Sequence, residues 1–338
     1  MASLVSDTLE EYGSITREMM AGYYPSGYPA RHLYEPLADY PQRSGKMMRP
    51  SICIATARAF GASKADAVRS AAAIELLHNA MLVHDDIQDG SELRRGRPTL
   101  HMLHGVPLAI NAGDALSLLS LRPLFDSINV FGSLLGSRML SELEQVAWHS
   151  LEGQAMELGW IRDNTLELED TDYLNMVLRK TCWLATIYPS RIGALIGSRG
   201  AVNLDPFIRF GFYLGAAFQI QDDLQNLAPK SNYGKEMNGD VLEGKRSLIL
   251  IHAYRHASPA ERAKLVRLFR RPRGKREQKD VGFVLSLIAG RRSIEYAHQF
   301  AHGLAGAALH QFAAIYGSLP SSRDKDFIHG LASWIFNR

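Results

Sequence analysis

The chain has 338 residues, 46% of them hydrophobic, and a formal net charge of +3. That length and apolar fraction suffice for a large core, and so slight a charge excludes a general nucleic-acid binder, which masses basic residues on one face. Two cysteines, Cys53 and Cys182, are too few for a disulfide framework or a zinc cluster, so buried free thiols in a reducing cytoplasm are expected.

The N-terminal stretch MASLVSDTLEEYGS lacks a basic segment followed by an apolar one and does not read as a secretory signal. No apolar run reaches the ~18 residues of a bilayer-spanning helix. Residues 1–28, running to YYPSGYP, are loosely specified. In SGKMMRP, Gly45, Lys46 and Arg49 form a short basic motif, in which Lys and Arg are donors of the kind that bind phosphate or carboxylate. The first strong helical pattern is AVRSAAAIELLHNAMLVHDD (67–86), where Ala73, Leu76, Leu77, Ala80, Met81 and Leu82 include i, i+3 and i, i+4 pairs. It runs into HDDIQDGSELRRGRPT (84–99), where Asp85 and Asp89 share a helix face with Asp86 adjacent. Three carboxylates at a helix C-terminus repel one another and oppose the helix dipole, so a cation belongs there. Their oxygens suit Mg²⁺, which takes one or two carboxylates and completes its shell with water and phosphate oxygens; pairing with Arg94 and Arg95 is the alternative the residues leave open. His78, seven residues before Asp85, lies on nearly the same face. It reads either as a satisfied core histidine or, near two basic motifs, as a phosphate donor.

Helical patterns return at 112–121, 138–160, 171–187, 207–227, 245–256, 282–301 and 303–316, broken by RGRP, YPS, NLDP and SLPSS. Convincing strand alternation, a domain linker and a fixed repeat are all lacking, so the expectation is an all-α chain, one helical domain over residues 1–338 with about ten helices. Lys180 and Thr181 fall in one helical stretch. FQIQDDLQN (218–226) ends another with Asp222, Asp223 and, four residues on, Asn226. Facing the first acidic cluster across a bundle, these side chains would hold several Mg²⁺ ions bridging to a diphosphate. In YGKEMNGDVLEGKRS, Lys235 and Lys245 flank Asp240, in a segment that reads as a mobile loop or as a lid over a phosphate. The basic run LVRLFRRPRGKREQKD (265–280), interrupted by Pro272 and Gly274, reads as a solvated interhelical loop.

In their order and spacing, GKMMRP, DDIQDGSELRRGRPT, INAGDAL, the Lys180–Thr181 pair, FQIQDD and GDVLEGKRS resemble the motifs of the trans-isoprenyl diphosphate synthases, also called polyprenyl synthetases, from about Gly45 to the C-terminus. The resemblance implies a helical isoprenoid-synthase bundle around a central cavity, in which an allylic diphosphate ionises and isopentenyl diphosphate attacks the carbocation. It implies Mg²⁺, three ions with diphosphate bound, on Asp85, Asp86, Asp89 and Asp222, with Asp223 and Asn226 beside them. Arg94, Lys180, Lys235 and Lys245 would hold the allylic diphosphate, and Gly45, Lys46, Arg49, His78 and Arg95 the isopentenyl diphosphate. Thr181 and Gln219 would set oxygen dipoles near the cation. A homodimer is expected from the same likeness. Asn226 departs from the third aspartate of many members; some geranylgeranyl synthases look similar, and weaker Mg²⁺ retention follows from the lost charge.

A helix rises ~5.4 Å per turn, comparable to one isoprene unit, which makes Met81, Ala80 and Leu77 successive floors for the growing hydrocarbon. None is aromatic, so a C20 product is expected, with C15 and C25 or longer as alternatives. A class I terpene cyclase needs no second diphosphate, and Lys46, Arg49, His78 and Arg95 argue against it. A noncatalytic partner subunit is disfavoured by the intact acidic residues.

Overall fold

The computed structural model describes residues 2–43, 45–227 and 238–337. In chain order these form α1 (Ala2–Ala21), α2 (Glu35–Gln42), α3 (Met48–Ala59) and α4 (Lys64–Asp89), then a two-stranded antiparallel hairpin of β1 (Leu93–Arg94) and β2 (Arg97–Pro98). There follow α5 (Leu100–His104), α6 (Val106–Leu119), α7 (Arg122–Phe131), α8 (Ser133–Arg162), α9 (Asp170–Val177), a π-helical segment (Leu178–Ile187), α10 (Tyr188–Gly197) and α11 (Pro206–Leu227). The last helices are α12 (Gly239–Glu243), α13 (Leu248–Arg255), α14 (Pro259–Phe269), α15 (Gln278–Gly290), α16 (Ser293–Tyr316) and α17 (Arg323–Asn337).

The all-α expectation is borne out, but with seventeen α-helices among the described residues rather than about ten. Helices of five to eight residues, such as α5, α12 and α13, are too short to carry a recognisable period. The loosely specified N-terminus is the 20-residue helix α1, whose stripe of Val5, Leu9, Tyr12, Thr16 and Met20 is buried. Helices α15 and α16 separate at Arg291–Arg292 rather than near Gly303, with Arg292 in the left-handed region at φ 54°.

Helix α4 is central. Ser63 and Asp66 close a capping box at its start, and Gly90, at φ 62°, ends it. Between Ala67 and Ala80 nearly every side chain is buried, the polar Ser70, Glu75, His78 and Asn79 included, as a helix surrounded on all sides requires. Helices α1, α3, α6 and α7 pack around it, while α8 and α11 pack on the π-helical segment and α16 on α11. One hydrophobic cluster fills most of the bundle; a second, built on Met20, Leu37, Tyr40, Leu76, Ala80 and Leu116, lies between α1, α2, α4 and α6. Each fully buried Leu, Ile or Phe contributes about 1.5–3 kcal/mol. This packing brings the C-terminal ends of α4 and α11 to the same cavity as the start of α3.

Candidate active site

A cavity of about 440 Å³ opens between α3, α4, α8, the π-helical segment and α11, within the range of small-molecule sites. Of the side chains singled out in the sequence, it brings together Lys46, Arg49, His78, Met81, Asp85, Arg94 and Arg95 from the first part of the chain. From the second come Lys180, Thr181, Gln219, Asp222, Asp223 and Lys245, with Gly45 at the rim. Lys235 lies outside the described residues. Asp86, Asp89, Asn226, Leu77 and Ala80 stand off the cavity wall.

At the end of α4 each aspartate has its own cation. Lys180 Nζ donates to Asp85 Oδ1 at 3.1 Å, joined by Gln154 Nε2 at 3.3 Å. Asp86 is fully buried; Tyr40 donates its hydroxyl to Oδ2 at 2.6 Å and the Arg94 guanidinium grips both oxygens. Lys245 Nζ lies 2.8 Å from Asp89 Oδ2 and 3.0 Å from Glu243 Oε2. Burial, and then the charge of Asp85, push the Asp89 carboxyl up to about 7. Burial opposes charge on Lys180 as well, but Asp85 and Glu157 overcome it and hold the ammonium above its usual range. The arginine pairing left open in the sequence is thus realised at Asp86, with Arg94 also 3.6 Å from Asp85, whereas the nearer partners of Asp85 and Asp89 are lysines from the π-helical segment and the segment after α12.

The π-helical turns place Lys180 and Thr181 on the cavity wall; such turns concentrate at functional sites. Thr181 Oγ1 donates to Gln219 Oε1 at 3.0 Å, and Gln219 Nε2 donates to Asp223 Oδ1 at 2.7 Å. The Tyr173 hydroxyl donates to the other Asp223 oxygen at 2.8 Å. Even so, burial and Asp240 push the Asp223 carboxyl up to about 8. Asn226 is buried and its side-chain oxygen accepts the Asp240 backbone N–H at 3.1 Å, tying α11 to the start of α12.

The other end of the cavity is basic. Arg49 Nε is buried without a hydrogen-bond partner among the described residues, and Arg95 donates to the carbonyls of Tyr40 and Arg43 at 3.2 and 3.0 Å. A Cβ at Gly45 would come within 2.9 Å of Arg95 Nη2, so glycine is what lets the guanidinium lie against that backbone. Between the two ends the wall is apolar, with Met81, Leu82, Leu151, Leu184 and Phe218. The expected floors are corrected here: at 100° per residue, Ala80 points about 140° away from Asp85, into the second hydrophobic cluster, while Leu77 belongs to the main core. Met81 is the one of the three that lines the passage, with Leu82 beside it.

Glu75, Gln154, Glu157 and Tyr173 were not singled out in the sequence. Their signal is a polar side chain on an otherwise apolar helix face, as with Gln154 and Glu157 in HSLEGQAMEL, which is legible only once that face is known to be buried. The basic run 265–280 also differs from its reading as a solvated loop. Arg273 Nη1 donates to the Asp89 carbonyl at 2.7 Å and to Glu243 at 3.3 Å, and Arg276 donates to the carbonyls of Leu242, Phe269 and Arg271. These arginines serve orphaned carbonyls at helix ends.

Cys53 and Cys182 are buried and free, and among the described residues no helix is long and apolar enough to cross a membrane. No three His, Cys, Asp or Glu side chains among them form a ready-made metal cage. The hard carboxylate donors at one end of the cavity, Asp85, Asp222 and Asp223, with Asp89 one helical turn behind Asp85, nevertheless fit Mg²⁺ held by one or two carboxylates together with a ligand's phosphate oxygens.

The chain is similar to a short chain isoprenyl diphosphate synthase from Methanothermobacter thermautotrophicus, at 33% identity over 262 residues and 76% of each chain. It is likewise similar to a geranylgeranyl pyrophosphate synthase from Geoglobus acetivorans, 34% identical over 254 residues, 75% of this chain and 76% of that one. Its fold matches the crystal structure of geranylgeranyl pyrophosphate synthetase from Pyrococcus horikoshii with a TM-score of 0.85 at 29% identity, covering 99% of this chain and 98% of the other. Residues 30–288 match the family described as polyprenyl synthetase, and with this cavity and these relatives the chain belongs to the polyprenyl synthetase family.

Proposed function

We propose that the protein is a trans-prenyltransferase that condenses isopentenyl diphosphate head-to-tail with an allylic diphosphate, releases pyrophosphate, and makes a linear all-trans prenyl diphosphate of C20. The observation that carries this reading is one cavity with a carboxylate end at Asp85, Asp222 and Asp223, a separate basic end at Lys46, Arg49, His78 and Arg95, and an apolar passage between. Two anion-binding ends suit two diphosphates. A terpene cyclase would leave the basic end without a ligand, and a noncatalytic partner subunit has no use for either end. The polyprenyl synthetase likeness over residues 30–288 supports the same reading.

Asp85, Asp89 and Asp222 are the residues that would hold Mg²⁺, which supplies Lewis-acid stabilisation of a diphosphate leaving group. Lys180 and Lys245, already aimed at Asp85 and Asp89, turn to the allylic diphosphate as its C–O bond breaks. Lys235 is assigned to the same diphosphate from the family motif alone. Arg94 stays with Asp86, which makes Asp86 the anchor of the β1–β2 hairpin. The Thr181 and Gln219 oxygens, fixed by their chain to Asp223, face the developing cation without needing to reorganise. Lys46, Arg49, His78 and Arg95 hold the isopentenyl diphosphate so that its double bond faces the allylic carbon. The departing pyrophosphate takes the proton lost after the new C–C bond forms.

The working form is a homodimer in the cytoplasm. Leu103, Leu118, Phe125, Leu134, Trp148 and Leu151 expose apolar surface on α5 to α8, a patch of the kind that a self-complementary interface covers. Incubation with Mg²⁺, isopentenyl diphosphate and, separately, dimethylallyl, geranyl and farnesyl diphosphates tests the activity. Linear products growing by C5 and stopping at C20 are expected. Cyclic products formed without isopentenyl diphosphate, or no turnover of any starter, would overturn the assignment.

A further inference from the structure

Glu75 is a carboxylate buried at the basic end of the cavity, 4% exposed, on α4 one turn before His78. Its Oε1 faces His78 Nδ1 at 3.3 Å, and Asn79 Nδ2 holds it at 3.3 Å. This is the hydrogen bond that the His78 ring makes among the described residues, which leaves Nε2 as the ring atom available to a ligand. The charged groups around the ring come from several elements: Glu75 from its own helix, Arg49 from α3, Arg95 from the turn of the hairpin, with Lys46 on the same wall and Asp222 acting on Arg49 from α11. Burial works against a charge on Glu75, but His78, Arg49 and Arg95 outweigh it and hold its carboxyl below the ordinary range. Burial and then Arg49 push the His78 imidazolium down to about 4.

An ionised carboxylate can only accept a hydrogen bond, so Nδ1 must carry the proton in that pair. On a neutral ring Nε2 is then a lone pair, which repels a phosphate oxygen. We infer that Glu75 is a positioning residue that commits His78 to offer Nε2–H only as imidazolium, so that filling the basic end with a diphosphate draws one proton from solvent onto His78. The fold thereby ties the affinity of the second substrate to pH. This deepens the assignment of that end to isopentenyl diphosphate and rests on it. A carboxylate that lies behind a histidine and fixes its tautomer is the same device that orients histidines at metal sites.

Glu75→Gln separates this role from a structural one, because the amide can donate to Nδ1 and leave Nε2–H on a neutral ring. KM for isopentenyl diphosphate is measured against pH at saturating allylic starter. In parallel, isopentenyl diphosphate is titrated calorimetrically into protein saturated with Mg²⁺ and geranyl thiolodiphosphate, in PIPES and in Tris at one pH. The parent should show a KM rising up to about tenfold per pH unit between about pH 7 and 9, and a buffer-dependent heat exceeding that of Glu75→Gln by about one proton. Glu75→Gln and His78→Gln should both lose the slope with KM for the starter unchanged, whereas Glu75→Asp should retain it. The ligand's own ionisation contributes equally to all four proteins and cancels in the comparison. Thermal melting confirms folding; if Glu75→Gln fails to fold, Glu75→Met, which also removes the obligate acceptor for Nδ1–H, supplies the same comparison. A parent that condenses isopentenyl diphosphate with equal slopes in parent and Glu75→Gln, or in parent and His78→Gln, overturns the inference and leaves the synthase assignment standing. A parent that never uses isopentenyl diphosphate overturns the assignment itself and this inference with it.

Discussion

Asp86 lies in the middle of the first acidic motif, yet it is fully buried and faces Arg94 rather than the cavity. Asp86→Asn therefore tests whether it works as a structural partner or as a metal ligand. The substitution keeps the shape and leaves Tyr40 an acceptor, but leaves the Arg94 guanidinium, 9% exposed at the side chain, with only the longer contact to Asp85 at 3.6 Å as counter-charge. Breaking one partner of a buried pair costs about 3–5 kcal/mol, and at about 2 °C per kcal/mol for a chain of this size the melting temperature should fall by roughly 6–10 °C. Arg94→Met alone should cost a similar amount, because it strands Asp86 instead. The double variant Asp86→Asn/Arg94→Met, with both charges gone, should be more stable than either single change, with a coupling of about 2 kcal/mol or more. Urea unfolding of the four metal-free proteins closes this cycle. If Asp86→Asn is as stable as the parent without metal but fails to gain stability when Mg²⁺ and pyrophosphate are added, the structural reading of Asp86 is refuted and the residue is a ligand.

Met81→Phe should narrow the passage and shorten the product from C20, read by chromatography of the dephosphorylated prenols; Ala80→Phe instead overfills the second hydrophobic cluster and should cost about 1–3 kcal/mol in denaturant unfolding. Asn226→Asp retains the acceptor for the Asp240 N–H but adds a charge near Asp223, so its Mg²⁺ midpoint for activity should fall while its metal-free melting temperature drops by a few degrees. An unchanged or higher Mg²⁺ midpoint would reject this. Arg273→Ala removes the tie between the Asp89 carbonyl and Glu243 and should raise KM for the allylic diphosphate several-fold with little change for isopentenyl diphosphate; equal effects on both would refute a local role. For pH, His78 refuses until about 4 a proton that it would take near 6.5 when unfolded. Its contribution is thus fully present above about pH 6.5, and about 3 kcal/mol is lost as pH falls to 4, which urea midpoints across that range should show and which His78→Gln should abolish.

Helical class, the central helix and the two acidic clusters are legible in the sequence, because each depends on spacings of three or four residues along one element. The stripe from Val5 to Met20 was legible too, but its acidic neighbours and the glycine and proline that follow it obscured the helix. The family motifs likewise mark which residues gather at the cavity, since their order along the chain carries that information. What the sequence leaves open is direction and partnership between elements. Asp85, Asp86 and Asp89 look equivalent as text, yet they meet Lys180, Arg94 and Lys245, one close in sequence and two more than ninety residues away. Ala80 looks like a floor until the rotation of α4 turns it into the second cluster, and Arg273 looks solvated until α12 and the end of α4 offer it carbonyls. Local spacing decides which face of a helix a side chain occupies; only the packing of whole helices decides what that face meets, because those contacts join residues whose separation along the chain carries no periodic signal.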